Sequence, residues 1–324
     1  MRREPAATAK LPVTQLDETA SRSASQGLTA FSAGDYGLYA LTIFVWSTSW
    51  LALKFQIGVV DPQVSLVWRF GAAALIMLAA CKVSGQRLAW PWRMHWRFAG
   101  LGLFLFSCNF LMFYYAANWL VSGLLSVIFS LASVINIALA VVVLGEPLRP
   151  RVVLGALFGL AGMACLFGPE IANQDFGGGA LIGLGLGICG TTFFCIGNMI
   201  SAANQRAGIP IISASAIGMV YGAGFSTLIA LAAGSAFIIE PTARYLGGLA
   251  WPIVFSTVIA FWAYLTLLGR IGADRAGYAT VVFPVVALII STFVEGYQWS
   301  LTGLAGVALV AIGNTIILMR RRRT

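Results

Sequence analysis

The segment WSTSW, from Trp46 to Trp50, holds the densest group of side chains that could bind a small molecule. Trp46, Trp50 and Lys54 recur at every fourth position, so on a helix they share one face, with Ser49 beside them. Indole rings can stack on an aromatic side chain or attract an ammonium group. Lys54 and Trp50 are also close to the end of an apolar run, and each could instead be an anchor at a membrane surface.

Arg69, in the segment WRF, is a second candidate because an ionisable side chain within an apolar run is costly to keep there. Its guanidinium could hold a substrate carboxylate through two parallel hydrogen bonds. The alternative is an arginine that reaches the outer headgroups or caps a neighbouring helix. The sequence leaves both interpretations open.

Small polar side chains form a third group of candidates. Four serines and an asparagine recur every three or four residues and would form one helix face, which could line a wet pathway or allow close helix packing. They are Ser122, Ser126, Ser130, Ser133 and Asn136. Amides buried in lipid need partners, so the asparagines are predicted to face the bundle interior. The residues predicted to bind substrate are Trp46, Ser49, Trp50, Arg69, Asn109, Tyr114, Tyr115, Ser130, Asn136, Asn198 and Trp262.

Three further residues are candidates for gating or hinge motion. Pro284 lies inside an apolar run, where it would free a backbone carbonyl and produce either a hinge or a static kink. Glu146 and Glu295 are predicted at opposite membrane surfaces. Carboxylates at such positions usually form local ion pairs, so gating is the less conservative interpretation.

Metal sites, cofactors and catalysis are not expected. The five cysteines all lie in apolar runs, none forms a CxxC pair, and His95 is the single histidine. This composition argues against a zinc site or a disulfide framework. The apolar runs also offer no paired carboxylates or histidine constellation for hydrolysis or group transfer. We therefore predict a protein without a cofactor that is not an enzyme.

The elements that must position these residues are membrane-spanning helices. Hydrophobic residues make up 59% of the 324 residues and charged residues 10%, whereas soluble domains carry about a quarter charged residues. A spanning helix needs about 20 mostly apolar residues. The predicted fold is an all-α integral membrane protein with ten spans, at 36–55, 62–83, 97–117, 120–144, 151–168, 178–201, 210–235, 246–269, 276–296 and 300–319.

The distribution of basic residues predicts the orientation. If the N-terminus is cytoplasmic, nearly all of the 20 Lys and Arg residues fall on the cytoplasmic side, as the positive-inside rule requires. Both termini are therefore predicted to be cytoplasmic, in a multi-pass protein of the inner membrane. Residues 1–34 would form a disordered tail and residues 320–324 a short basic one. The same distribution gives no support to nucleic-acid binding.

The two halves of the chain share a pattern of residues. Ser133, Gly155 and Gly162 have the same spacing as Pro284, Gly306 and Gly313. The two acidic residues Glu146 and Glu295 match less well, because they are two places out of register. Five spans per half would give inverted repeats, over 35–168 and 178–319, with a substrate site between them near the bilayer midplane.

Several segments resemble the EamA family of the drug/metabolite transporter superfamily. They are FVWSTSWLALKF, WRF, LGEPLRPRVVLGALFGLAG and FPVVALIISTFVEG with the glycines that follow. Within that family the chain is similar to YddG-type exporters of aromatic and other neutral amino acids. The resemblance implies a basket of ten helices, with a cavity lined by spans 1, 3, 4, 6, 8 and 9. Ser133 stands where family members often have proline, which puts equal bending of the two halves in doubt.

The leading hypothesis is a monomeric secondary transporter that exports neutral, in particular aromatic, amino acids by alternating access. No Asp, Glu or His lies near the middle of any span, so facilitated diffusion or exchange is predicted in preference to tight proton coupling. Other EamA-type substrates, such as small metabolites or drugs, are the alternative within transport. The alternative outside transport is a membrane scaffold or sensor. The predicted partners are the small-molecule substrate and the lipid bilayer.

Overall fold

The computed structural model describes residues 32–144, 150–173, 179–260, 263–264, 266–267 and 279–318. Helical structure overlaps all ten predicted runs. The helices are α1 Ala33–Lys54, α2 Pro62–Val83, α3 Trp92–Ala116, α4 Ser122–Ser130, α5 Ala132–Leu144, α6 Pro150–Asn173, α7 Gly179–Arg206, α8 Ile211–Ala232, α9 Ala243–Trp251, α10 Ala279–Val294 and α11 Leu301–Leu318.

Five of these helices are long and apolar enough to cross a bilayer, namely α1, α2, α3, α7 and α8. Further apolar segments are shorter, including Val153–Phe167 within α6 and Leu301–Ile317 within α11. The helices carry large apolar side chains on their outer surfaces, such as Leu75, Leu157 and Leu228, each about half exposed or more. Such a surface suits lipid, so this is a multi-pass membrane protein. The ten-span layout and the cytoplasmic termini stay predictions.

The predicted run 120–144 is not one helix. It divides into α4 and α5 at Leu131, which lies between them in a turn. The hydroxyl of Ser130 donates to the carbonyl of Val127, and that of Ser133 donates to the carbonyl of Ser130. Serine side chains that bind nearby carbonyls weaken the regular helix ladder. The serine-rich face therefore breaks this element.

Helix α10, in contrast, runs through Pro284 as one helix. Neighbouring hydroxyl groups donate to carbonyls around the proline: Ser47 Oγ lies 2.9 Å from Phe283 O, and Ser126 Oγ lies 3.4 Å from Pro284 O. Proline inside a membrane helix is tolerated when side chains bind backbone groups that the ring displaces or exposes. The two matched positions, Ser133 and Pro284, thus lie in different local structures.

Glycines bring α6 and α11 into direct backbone contact. A Cβ atom added to Gly155 would lie 2.6 Å from the carbonyl oxygen of Gly313, and one added to Gly162 would lie 2.6 Å from that of Gly306. Helices in lipid associate through such close approach, because the hydrophobic effect does not drive them together there. The matched glycines of the two halves therefore pair in a crossed arrangement. Gly155 contacts Gly313, and Gly162 contacts Gly306.

Segments of π-helix interrupt the third span of each half. One is Phe104–Cys108 within α3, and the other is Pro252–Ile259 after α9. Gly155 and Gly306 are separated by a fixed number of residues. The same offset, applied to Phe104–Cys108, gives the C-terminal part of Pro252–Ile259. Such segments occur frequently at functional sites, and they give the two halves a second matched feature.

Candidate functional site

Aromatic side chains converge between helices that are far apart in sequence. Trp46 lies 5.0 Å from Tyr264 and 6.1 Å from Phe283, measured between ring centroids. One turn further along α1, Trp50 lies 4.9 Å from Phe113 and 5.4 Å from a second phenylalanine, Phe129. These separations are those of edge and tilted ring pairs, so the rings form one connected group.

Phe129 is the centre of this group. Its ring lies 4.5 Å from Phe194, 5.8 Å from Phe113 and 6.3 Å from Phe283. We call the whole group the aromatic cluster; it consists of Trp46, Trp50, Phe113, Phe129, Phe194, Tyr264 and Phe283. Its members come from the predicted spans 1, 3, 4, 6, 8 and 9, the same six that the family resemblance places around a cavity.

The aromatic cluster is not a closed core. Phe113 and Phe283 are buried, whereas Trp46, Trp50, Phe129 and other members are only partly buried. A fully packed core would bury all of these rings, since each offers a large apolar area. The accessible faces can therefore receive a flat apolar group.

Some of the predicted polar residues make contacts that the structure identifies. The hydroxyl of Ser49 pairs with that of Ser256, in the second π-helical segment, and with the carbonyl of Val45. Ser130 donates within its own helix, as described above. Asn109 is buried; its amide nitrogen donates to Leu105 O at 3.1 Å, while its amide oxygen has no partner among the described residues. An unpaired buried carbonyl of this kind is free to accept a ligand's hydrogen bond.

Asn136 and Asn198 keep part of their surface accessible. Hydrogen bonds of their side chains are not found within the described ranges, and a side-chain amide carries both donors and an acceptor. Trp262 and Glu146 lie outside the described residues. Their predicted roles therefore have no structural counterpart here.

Arg69 lies apart from the aromatic cluster. Its guanidinium carbon is 4.3 Å from the ring centre of Phe110 and 5.2 Å from that of Phe70, and the side chain lies next to Tyr114. Within the described part of the chain, no ring contact or hydrogen bond joins Arg69 to Trp46 or Trp50. Tyr114 follows Phe113 directly on α3, and successive helix residues point about 100° apart. Phe110 is three residues before Phe113 and only about 60° from it, so Arg69 and Trp50 contact adjacent faces of α3.

Tyr114 and Tyr115 are held by glutamines that the sequence analysis did not single out. The Tyr114 hydroxyl donates to Gln56 Oε1 at 2.8 Å, and the Tyr115 hydroxyl donates to Gln63 Oε1 at 3.0 Å. Gln56 is buried and also donates to the carbonyl of Gly248 at 2.7 Å. A polar residue at the boundary of an apolar run was the available signal for both glutamines. These bonds fix the tyrosines between helices.

Charged residues join four helix ends on one side of the bundle. Glu295, after α10, accepts the backbone N–H and the hydroxyl of Ser122 at the start of α4, and the hydroxyl of Ser291 at 2.7 Å. Lys54, the last residue of α1, donates to the carbonyls of Ala117 and Leu120 after α3, and it interacts electrostatically with Glu295. We call Lys54, Ser122, Ser291 and Glu295 the helix-end clamp.

The helix-end clamp follows the electrostatics of helix termini. A carboxylate satisfies free N–H groups at a helix N-terminus, and a cation satisfies free carbonyls at a C-terminus. Val121, the residue that precedes α4, contributes no side-chain cap, so Glu295 supplies one from the other half of the chain. Lys54 therefore donates hydrogen bonds to backbone carbonyls after α3. This contact was not predicted from the sequence.

Groups of three or more metal-binding side chains are not found among the described residues. The site thus consists of aromatic surface with a few amides and hydroxyls.

The chain is similar to membrane transporters along most of its length. Residues 36–168 match the EamA-like transporter family. An uncharacterized transporter of Archaeoglobus fulgidus is 24% identical over 282 residues, which cover 87% of this chain and 98% of the relative. The uncharacterized transporter YvbV of Bacillus subtilis is 23% identical over 284 residues, which cover 86% of this chain and 90% of the relative. A crystal structure that covers 88% of this chain, and is itself covered to 96%, superposes with a TM-score of 0.61 at 19% identity, so the fold is shared.

Proposed function

We propose that the chain is a member of the EamA-like transporter family, and that it is a secondary transporter that exports neutral, in particular aromatic, amino acids across the cytoplasmic membrane. The observation that carries the proposal is the aromatic cluster, in which rings from six predicted spans meet and leave faces accessible. An aromatic side chain that stacks there gains dispersion and ring-quadrupole interactions beyond the area it buries.

The charges of the site favour a neutral or zwitterionic substrate. Phosphate-bearing solutes would need several Lys or Arg residues around the aromatic cluster, and polyamines would need acidic ones. The cluster itself consists of aromatic side chains such as Trp46, and the nearest predicted polar residues along α1 and α3 are a hydroxyl, Ser49, and an amide, Asn109. The substrate's ammonium group would meet indole faces and amide oxygens, in keeping with cation–π attraction.

Alternating access is proposed to use the helix-end clamp and the broken α4–α5 element. On the predicted orientation the clamp lies at the outer end, where Glu295 and Lys54 hold α1, α3, α4 and α10 together. Opening would separate Glu295 from Ser122, while Leu131 and Pro284 provide hinge positions beside the aromatic cluster. The proposal thus assigns gating to Glu295 and bending to Pro284.

Exchange or facilitated diffusion is the proposed mode. A proton-coupled carrier needs a titratable side chain that is exposed in turn to each side. The predicted spans contain no Asp, Glu or His near their centres. The substrate gradient would then be the driving force.

Substrate counterflow tests this proposal. Purified full-length protein in liposomes loaded with unlabelled substrate should accumulate labelled phenylalanine, tryptophan and leucine, and should not accumulate labelled glutamate or lysine. An aromatic solute without an amino-acid group distinguishes the alternative, an exporter of other small metabolites or drugs. Equal counterflow of charged and aromatic amino acids would contradict the proposed specificity, and no counterflow of any solute would favour a scaffold or sensor.

A further inference from the structure

Arg69 is a buried cation for which the described part of the chain supplies no carboxylate. The side chain is only 6% exposed, and among the described residues its Nε atom has no hydrogen-bond partner. The described carboxylate side chains are those of Asp35, Asp61, Glu240 and Glu295, and none of them forms an ion pair with Arg69. Buried charges are ordinarily paired, because removal from water is costly for an ion.

The groups around Arg69 compensate for only part of the hydration free energy that the guanidinium loses on burial. The rings of Phe110 and Phe70, with centres at 4.3 and 5.2 Å, offer cation–π attraction, and the Tyr114 hydroxyl lies close by. That hydroxyl donates to Gln56, and its oxygen can accept only one or two of the guanidinium N–H groups. Five N–H donors in a planar fork therefore meet few acceptors, whereas a small anion would supply two at once.

The position of this arginine excludes the simplest alternative. Arg69 lies two turns from the start of α2, and its neighbours one turn before and after it, Ser65 and Ala73, are buried. An arginine that snorkels to headgroups keeps its charged end in water or at the lipid surface. This one is enclosed by protein side chains.

We propose that Arg69 forms a binding site for a small anion, of carboxylate or halide size, on the face of α3 adjacent to the one that contacts the aromatic cluster. Guanidinium Nε–H and one terminal N–H would hold the anion in the fork arrangement. Phe70 and Phe110 would cover the guanidinium plane. Binding of a free anion here is independent of the transported solute, whereas binding of a solute carboxylate rests on the proposed function.

Two sources of anion share this chemistry. One is the carboxylate of the transported solute, which would extend from the aromatic cluster to the adjacent face of α3. The other is a free anion from the solution, such as formate or chloride. A substrate amino acid and its amide separate the two, since only the first carries a carboxylate.

The test is a thermal-unfolding titration of the purified full-length protein. Sodium formate or sodium chloride replaces sodium gluconate at constant ionic strength, because gluconate is much bulkier than either anion and serves as the reference. We expect a saturable rise in the unfolding midpoint for the wild type and its loss in Arg69→Gln. Arg244→Gln is the matched control, because Arg244 is exposed and its guanidinium lies on the ring of Phe55 at 5.2 Å. It should retain the rise.

A second variant keeps the test valid in case Arg69→Gln does not fold. Tyr114→Phe keeps the ring and removes the hydroxyl beside the guanidinium, and the formate dissociation constant should rise by up to about tenfold. Displacement of formate by the amino acid and not by its amide would assign the site to the solute carboxylate, and displacement by neither would assign it to a free anion. The proposal is overturned if the wild type shows no saturable response, or if Arg69→Gln responds as the wild type does.

Discussion

The carboxylate of Glu295 accepts the backbone N–H of Ser122 with both oxygens, at 2.9 and 3.2 Å, although the two residues lie in different halves of the chain. The hydroxyl of Ser291 completes the arrangement by accepting the N–H of Gly123 at 2.7 Å. The first turn of α4 is thus capped by residues at the end of α10. Any motion that separates these helix ends must first break charge-assisted hydrogen bonds.

Neutralising Glu295 should loosen the helix-end clamp. In Glu295→Gln the amide oxygen still accepts a hydrogen bond, but the charge that favours a helix N-terminus is gone. A cysteine in place of the buried Ser126, in a background without the natural cysteines, reports on opening. We expect labelling by a membrane-impermeant thiol reagent to become about tenfold faster, the equivalent of about 1.4 kcal/mol.

The matched control for this change is Glu240→Gln, because Glu240 accepts a hydrogen bond from its near neighbour Thr242 and does not belong to the clamp. Its labelling rate should equal that of the parent protein. If Glu295→Gln and Glu240→Gln label alike, the clamp does not govern access to Ser126.

Truncating the tryptophans of the aromatic cluster should weaken transport. Trp46→Ala removes ring contacts at 5.0 and 6.1 Å, and Trp50→Ala removes contacts at 4.9 and 5.4 Å. Loss of one such ring surface corresponds to about 1.5–3 kcal/mol, so the half-saturating concentration for labelled phenylalanine should rise about tenfold or more. Counterflow rates across a concentration series measure this.

Trp96→Ala serves as the comparison, because Trp96 is 67% exposed. It should transport with wild-type affinity. Normal affinity in both Trp46→Ala and Trp50→Ala would move the substrate site away from the aromatic cluster.

Alanine at Gly162 should destabilise the protein, whereas alanine at Gly71 should not. The added methyl group at Gly162 would lie 2.6 Å from Gly306 O, while at Gly71 nothing lies within 4 Å. We expect Gly162→Ala to lose about 1–3 kcal/mol through overpacking, and Gly71→Ala to gain up to about 1 kcal/mol of helix stability. Unfolding in detergent, followed by circular dichroism, compares the two. Equal effects would mean that α6 and α11 do not touch at their glycines.

Transport should persist without a pH gradient. The predicted spans lack central Asp, Glu and His residues, so no side chain there is placed to relay protons. Uptake of labelled phenylalanine into liposomes should keep its initial rate, within about twofold, when a protonophore abolishes the pH difference. Loss of uptake while the substrate gradient remains would show proton coupling.

Much of the helical content was accessible from hydropathy, because each apolar run satisfies its own backbone hydrogen bonds and needs no partner to be recognised. The contacts between pairs of residues on different helices could not be predicted from hydropathy. Nothing near Trp50 indicates Phe129, and nothing near Glu295 indicates Ser122, since such pairs depend on how distant helices pack. The division at Leu131 was missed because serine hydroxyls bind carbonyls of their own helix, an effect that hydropathy does not register.

The placement of Arg69 illustrates the same limit. The sequence allowed its guanidinium to join Trp46 and Trp50 in one site, yet rotation along α3 directs the neighbouring residues Phe113 and Tyr114 to different partners. One position on a helix decides which of two sites a side chain enters. Periodicity alone does not fix that rotation when most faces are apolar.

The backbone contact between Gly155 and Gly313 has a mechanical consequence. Interfaces built from side chains can shift when rotamers change, whereas a close backbone contact that is also packed against Ile317 and Phe158 leaves little room for such a shift. Helices α6 and α11 would therefore form a rigid unit during a transport cycle, and the other helices of both halves would move relative to it. A covalent cross-link between these two helices would leave turnover intact, whereas the same link between α4 and α10 would stop it.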